Sequence, residues 1–101
     1  PTTVAPSANT VTLYYYNNWS KTYAHYQVGS GEWTAAPGVK MEDATSAYAV
    51  ITIDLGSADS LNICFNNGSG SWDNNNNSNY TIKAGTYTIK GKKVTEGAPK
   101  L

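Results

Sequence analysis

Apolar and polar residues alternate along most of this chain, and the alternation predicts β-strands. The first strand is expected from about Thr10 to Tyr16, where Val11, Leu13 and Tyr15 share one face. Further strands are predicted over residues 24–28, 48–55, 61–65, 80–82, 86–90 and 92–95, with a short return strand starting at Glu32-Trp33-Thr34. No stretch of adequate length shows helical periodicity.

Turn residues separate these strands every ~8–12 positions, a spacing typical of sandwiches. We therefore predict an all-β fold, an antiparallel β-sandwich of immunoglobulin-like shape. The segment 35–47 contains Pro37-Gly38 and several charges, so it is expected to cross from one sheet to the other. We expect residues 1–9 and 97–101 to be linker remnants around a folded domain at 10–96, and the chain to be part of a longer protein.

The charge balance narrows the choice of partner. Seven lysines and no arginine balance seven acidic residues, so the formal net charge is zero. Nucleic acids and anionic membranes both recruit clustered positive charge, and neither is expected as a partner. No signal peptide or membrane-spanning run is recognisable. The single cysteine, Cys64, is expected to be a small apolar residue within a strand.

The stretch from Phe65 to Tyr80 combines a large apolar side chain with a very polar loop. Trp72 lies there among asparagines, serines and glycines, which offer little apolar surface to bury. An indole in such a loop suggests a surface that contacts a ligand with apolar faces and many hydroxyls, as a sugar has.

Two further aromatic side chains are candidates for the same surface. Strand alternation directs His25 away from the core, and Trp33 lies just past the Gly29-Ser30-Gly31 turn, so both can lie side by side. Each candidate also has a structural reading. Trp33 would then be a core residue, Trp72 a plug in its own loop, and the histidine a structural one.

Polar side chains around Trp72 are expected to read sugar hydroxyls by hydrogen bonding. The candidates are Asn66, Asn67, Asp73 and Asn74. Trp19, in the turn after the first strand, is either a cap over the end of the core or a contact residue, and we favour the cap.

The sequence also bears on two other kinds of site, a calcium site and a glycosidase active site. The run from Asp73 to Asn79 resembles the start of an EF-hand, but Ser78 and Ala84 stand where that motif needs Gly and Glu, so a loop built of Asx turns is favoured over calcium. A glycosidase needs two carboxyl groups facing each other at about 5–9 Å, and the acidic residues here are scattered. We expect no catalysis, no metal and no cofactor.

Two groups of residues carry a family resemblance. They are His25-Tyr26, Trp33-Thr34-Ala35-Ala36 and Pro37-Gly38-Val39-Lys40-Met41, and then Phe65-Asn66-Asn67-Gly68 and Trp72-Asp73-Asn74-Asn75. Through these residues the chain resembles the family 25 carbohydrate-binding modules, over roughly Val11 to Thr95, and it is more distantly similar to family 26.

The resemblance implies a starch-binding β-sandwich attached to a bacterial amylase. His25, Trp33 and Trp72 would form the sugar-stacking platform for α-1,4-linked glucans, in a secreted, monomeric, non-catalytic module that brings the enzyme to granular starch. The alternative class is an immunoglobulin-like module for protein interaction or adhesion, which the same sandwich could serve.

Overall fold

The computed structural model describes residues 9–101, and in this part of the chain ten strands form two sheets. The strands are β1 (Thr10–Tyr16), β2 (Tyr23–Val28), β3 (Val39–Lys40), β4 (Glu42–Asp43), β5 (Tyr48–Asp54), β6 (Ser60–Asn66), β7 (Trp72–Asp73), β8 (Tyr80–Lys83), β9 (Gly85–Lys90) and β10 (Lys93–Glu96). None of the described residues belongs to a helix long and apolar enough to cross a membrane.

The first sheet has the order β10-β9-β1-β5-β4, and the second has the order β3-β2-β6-β7, with β8 also paired to β6. The all-β sandwich is thus confirmed. One neighbouring pair, β1 with β9, runs parallel. The chain leaves β8 in the second sheet and passes through Ala84 into β9 in the first, where it meets β1 in the same direction. Alternation alone does not encode strand direction.

The core lies between the sheets and is built from the inward positions of β1 and β6. Leu13, Ile63 and Phe65 are completely buried. The Tyr15 and Phe65 rings stack across the sandwich with centroids 4.0 Å apart and an interplanar angle of 16°. Burying a side chain of this size contributes about 1.5–3 kcal/mol of favourable free energy to folding.

The connection over residues 35–47 crosses between the sheets, as predicted. Its strand β3 pairs with β2 in the second sheet, and β4 pairs with β5 in the first. Met41 lies between them and is only 2% exposed. The predicted return strand at residues 32–34, by contrast, is a single bridge between Trp33 and Gln27.

Hydrogen bonds tie one residue beyond each predicted domain limit to the sandwich. The Asn9 side chain donates to the carbonyl oxygens of Gly56 and Ala58, at 2.9 and 2.8 Å. The Gly97 amide donates to the Thr86 carbonyl at 2.8 Å. The predicted linker at residues 1–8 lies outside the described residues, and the domain limits stay a prediction.

Candidate functional site

His25 lies on the outward face of β2, as its strand position predicts. Its neighbour Ala24 is completely buried, whereas the imidazole is partly exposed. The Nδ1 atom lies 2.9 Å from the Thr34 hydroxyl oxygen, and this hydrogen bond fixes the plane of the ring. The Thr34 hydroxyl also accepts a hydrogen bond from the Tyr26 amide at 3.2 Å, which anchors it to β2.

Trp33 lies beside His25, which confirms the predicted contact. The turn after β2 is closed by hydrogen bonds from the Gly31 amide to the Val28 carbonyl and from the Thr34 amide to the Tyr26 carbonyl. The indole and imidazole centroids are 5.1 Å apart, and their planes differ by 32°. Trp33 is 37% exposed and is therefore a surface residue, not a core one.

Trp72 reaches the same surface from β7, a strand of two residues. β7 pairs with Phe65 and Asn66 at the end of β6, and this pairing turns the indole outward. The indole is 45% exposed and lies edge-on to His25, with centroids 5.7 Å apart and an interplanar angle of 79°. His25, Trp33 and Trp72 therefore form one continuous, bent surface, which we call the aromatic platform.

Asn66 and Asn67 shape the loop that leads to Trp72. Asn66 is 1% exposed; its amide group donates to the Pro37 carbonyl at 2.8 Å and accepts from the Gly68 amide at 2.8 Å. The Asn67 side-chain oxygen accepts from the amides of Ser69 and Ser71 at 2.8 and 3.1 Å. These are Asx turns, in which a side chain replaces a backbone partner.

Asp73 points between the sheets and is 8% exposed. Its Oδ2 atom accepts hydrogen bonds from the hydroxyls of Tyr15 and Tyr80 at 2.6 and 2.9 Å. Its Oδ1 atom accepts from the Lys92 ammonium at 2.7 Å and from the Asn75 amide at 3.1 Å. Burial alone would raise the pKa of Asp73, but the bonds donated by Lys92, Tyr15, Asn75 and Tyr80 together hold that pKa below its ordinary value.

The asparagine run after Asp73 is a loop of local hydrogen bonds, which supports the Asx-turn interpretation. The Asn74 side chain accepts from the Asn77 amide at 3.0 Å and donates to the Asn77 side chain at 3.1 Å. Asn75, Asn76, Asn77 and Asn79 all have positive φ, which asparagine tolerates well. Between residues 9 and 101, no three His, Cys, Asp or Glu side chains form a metal-ligand cluster. The only carboxylate of the run is already paired with the cation of Lys92.

The sequence did not reveal two groups that support the platform. Thr34 orients His25, and only the pairing of the turn brings the two together. Cys64 is 5% exposed and pairs with His25 across β2 and β6, with its Sγ atom 3.7 Å from the His25 carbonyl oxygen. Burial raises the pKa of the thiol, as does the nearby Asp73 charge, so Cys64 is a neutral side chain beside His25 on the outward face of the sheet.

Trp19, the third indole, differs from the platform residues. It packs against the core, with its ring centroid 5.9 Å from that of Tyr15. Its amide donates to the Asn17 side chain at 2.8 Å, which closes the turn after β1. This position agrees with the predicted capping role.

Sequence comparison finds relatives of this chain among bacterial amylases. It is 46% identical over 100 residues to a beta/alpha-amylase of Paenibacillus polymyxa and 48% identical over 101 residues to an alpha-amylase of Niallia circulans. These alignments cover 92% and 97% of the chain but only 8% of each relative. The chain thus corresponds to a small part of those enzymes.

Solved structures give the same relationship. A CBM25 from a Bacillus halodurans amylase in complex with maltotetraose is 35% identical with a TM-score of 0.84, covering 90% of this chain and 99% of that one. The CBM25-1 of the Paenibacillus polymyxa beta/alpha-amylase is 48% identical with a TM-score of 0.78, covering 90% and 94%. The model of the carbohydrate binding domain (family 25) matches residues 6–100. The chain therefore belongs to the family 25 carbohydrate-binding domains and is a non-catalytic binding module.

Proposed function

We propose that this module binds α-1,4-linked glucans, namely starch, amylose and malto-oligosaccharides, on the aromatic platform and holds an attached amylase close to granular starch. The observation that carries the proposal is the contact of three rings on one outward face, the exposed indoles of Trp33 and Trp72 and the partly exposed imidazole of His25. The maltotetraose bound by the Bacillus halodurans relative, and the amylases to which the other relatives belong, support it.

The chemistry of a pyranose matches this surface. Its axial C–H groups form a weakly positive, apolar patch, which packs on the negative face of an aromatic ring. The rings of the platform are inclined by 32° and 79° to one another, so the surface is bent. An α-1,4-glucan curves along its length and can follow such a surface, whereas a straight β-1,4-glucan favours a flat strip of rings.

The polar side chains divide into two groups in this proposal. Asn67 and Asn74 are partly exposed, and they remain candidates for hydrogen bonds to sugar hydroxyls. Asn66 and Asp73 are buried, and both bind partners within the domain. We therefore assign them to positioning the loop and Trp72, in place of the sugar contacts expected from sequence.

A shallow platform of this size should bind with modest affinity. We expect a binding free energy of about −5 to −7 kcal/mol, or a Kd of roughly 100 to 10 μM. Neighbouring modules in the same enzyme would raise the overall avidity. The modest affinity, together with relatives that are bacterial amylases, fits a monomeric module that acts outside the cell on an insoluble polysaccharide.

Depletion from solution by granular starch tests the proposal. The protein is mixed with insoluble starch and, separately, with microcrystalline cellulose, and the free fraction is measured by absorbance. We expect loss to starch and none to cellulose. Loss to neither would contradict the proposal and favour a protein-interaction module, and equal loss to both would contradict the preference for α-linked chains.

Thr34→Val should weaken malto-oligosaccharide binding without unfolding the domain. The substitution removes the hydroxyl that holds the His25 imidazole and leaves the shape of the side chain nearly unchanged. One such hydrogen bond contributes about 0.5–1.5 kcal/mol, so we expect Kd for maltoheptaose to rise roughly 2- to 10-fold. Thr52→Val, in β5 of the opposite sheet, is the matched control and should bind like the wild type. An unchanged Kd for Thr34→Val would show that orienting His25 is unimportant.

A further inference from the structure

Trp72 and Asp73 are adjacent in β7, and adjacent residues of a strand point to opposite faces. The indole therefore lies on the platform while the carboxylate enters the space between the sheets. β7 has only two pairs with β6, those of Trp72 with Asn66 and of Asp73 with Phe65. Backbone pairing alone therefore attaches β7, the strand that carries Trp72, only weakly to the sheet.

The carboxylate strengthens this attachment by connecting β7 to three other elements. Tyr15 comes from β1 in the first sheet, Tyr80 from β8, and Lys92 from the turn between β9 and β10. The two tyrosine bonds are buried, and the lysine side chain is 45% exposed. Asp73 therefore receives charge-assisted hydrogen bonds from both sheets, and such bonds are about twice as strong as neutral ones.

We infer that Asp73 is a positioning residue for the platform: its charged carboxylate locks β7 onto the opposite sheet, holds the Trp72 indole against His25, and makes glucan binding sensitive to acid. This inference rests on the proposed function for its sugar readout. Its structural part, the Trp72–His25 contact, can be measured without any sugar.

The groups around the carboxylate determine the direction of the pH dependence. Burial, and the hydrogen bond to Asp73, raise the pKa values of Tyr15 and Tyr80, so both stay protonated donors through neutral and acidic pH. The pKa of Cys64, on β6, is also raised, first by burial and then by the Asp73 charge, so the thiol stays neutral. Because the pKa of Asp73 is lowered, its contribution is complete above the ordinary carboxyl value of about 4 and is lost as pH falls through the lower, folded-state value.

Lys92 allows a test that spares the core. Lys92→Met removes the partly exposed cation and keeps a straight side chain at a position with φ of 65°. Without that cation the pKa of Asp73 rises, so the acid loss of maltoheptaose affinity should move to higher pH. Lys93→Met, at the neighbouring exposed lysine in β10, is the matched control and should keep the wild-type profile. Both variants keep His25, so a difference between their acid profiles reports the Lys92–Asp73 pair.

The experiment measures the Kd for maltoheptaose by calorimetry between about pH 3 and pH 8, with circular dichroism at each pH to confirm folding. Lys92→Met should lose affinity at higher pH than the wild type and Lys93→Met. Asp73→Asn should bind about tenfold or more weakly at neutral pH, and its NMR spectra should lack the ring-to-ring cross-peaks between Trp72 and His25 that the wild type shows. Asp59→Asn, at an exposed turn carboxylate, should retain both the wild-type affinity and the Trp72–His25 cross-peaks.

The inference is overturned if Lys92→Met and Lys93→Met have the same acid profile, or if Asp73→Asn binds within twofold of the wild type and keeps the Trp72–His25 cross-peaks. If Asp73→Asn does not fold, the comparison of Lys92→Met with Lys93→Met decides whether the inference holds. A wild-type protein that shows no maltoheptaose binding at neutral pH refutes the proposed function instead. The ring-to-ring cross-peaks of wild type and Asp73→Asn then still decide the positioning role.

Discussion

Replacing Trp72 or Trp33 by alanine is expected to raise the Kd for maltoheptaose about 30- to 150-fold, a loss of about 2–3 kcal/mol in binding free energy. Each indole provides an exposed stacking face on the platform, at 45% and 37% exposure. Neither belongs to the buried core cluster, so the variants should remain folded. Isothermal titration calorimetry at neutral pH gives the affinities, and the double variant should show no measurable heat of binding.

Tyr16→Ala is the matched control for these variants. Tyr16 is 43% exposed, close to the value for Trp72, but it lies on the outward face of the first sheet. Losing an exposed aromatic ring from that side should leave the Kd unchanged. If Tyr16→Ala weakens binding as much as Trp72→Ala does, or if both tryptophan variants bind like the wild type, the platform is not the binding surface.

Gly38→Ala is expected to be the most destabilising glycine-to-alanine substitution in this domain. A Cβ atom at Gly38 would lie 2.1 Å from the Ala24 carbonyl oxygen and 2.8 Å from the His25 Cα atom, both backbone atoms of β2. The residue also has φ of 106°, which side chains with a Cβ rarely adopt. We expect a loss of about 3 kcal/mol or more in the free energy of unfolding, measured by urea titration.

Gly70→Ala separates the two causes of this destabilisation, the steric clash with β2 and the backbone strain at positive φ. Gly70 has φ of 113°, close to that of Gly38, but an added Cβ would meet nothing within 4 Å. Gly70→Ala therefore introduces backbone strain without a clash, and we expect it to lower the free energy of unfolding by about 1–2 kcal/mol. Equal losses for both variants would mean that the close approach of Gly38 to β2 does not limit the fold. Because that approach is directly behind His25, Gly38→Ala should also weaken sugar binding.

Much of the fold was predictable because alternation reports burial directly. β1 was predicted with its observed bounds, and β5 and β6 each within one residue at either end, since their inward residues form the core. The same alternation correctly placed His25 outside. The parallel pairing of β1 with β9 was not predictable, because it depends on where the chain crosses between the sheets after Lys83.

The loop before Tyr80 shows where sequence reasoning reached its limit. Its composition correctly indicated an exposed Trp72, but it concealed a two-residue strand. Once β7 pairs with β6, strand alternation directs Asp73 inward. Its carboxylate there accepts a hydrogen bond from Tyr15 in the opposite sheet. Asn66 likewise looked available for a ligand, yet the loop folds over it and uses both ends of its amide. Local composition cannot distinguish a side chain that binds a ligand from one that shapes the site.

The three indole N–H groups give the most direct test of the central claim that α-glucans bind on the platform. In one ¹H–¹⁵N NMR titration with maltoheptaose, assigned with single tryptophan-to-phenylalanine variants, the signals of Trp33 and Trp72 should move with a common saturation curve. The signal of Trp19, which packs against the core, should stay still and serve as the internal control. Movement of Trp19 alone, or of none of the three at saturating sugar, would contradict the account.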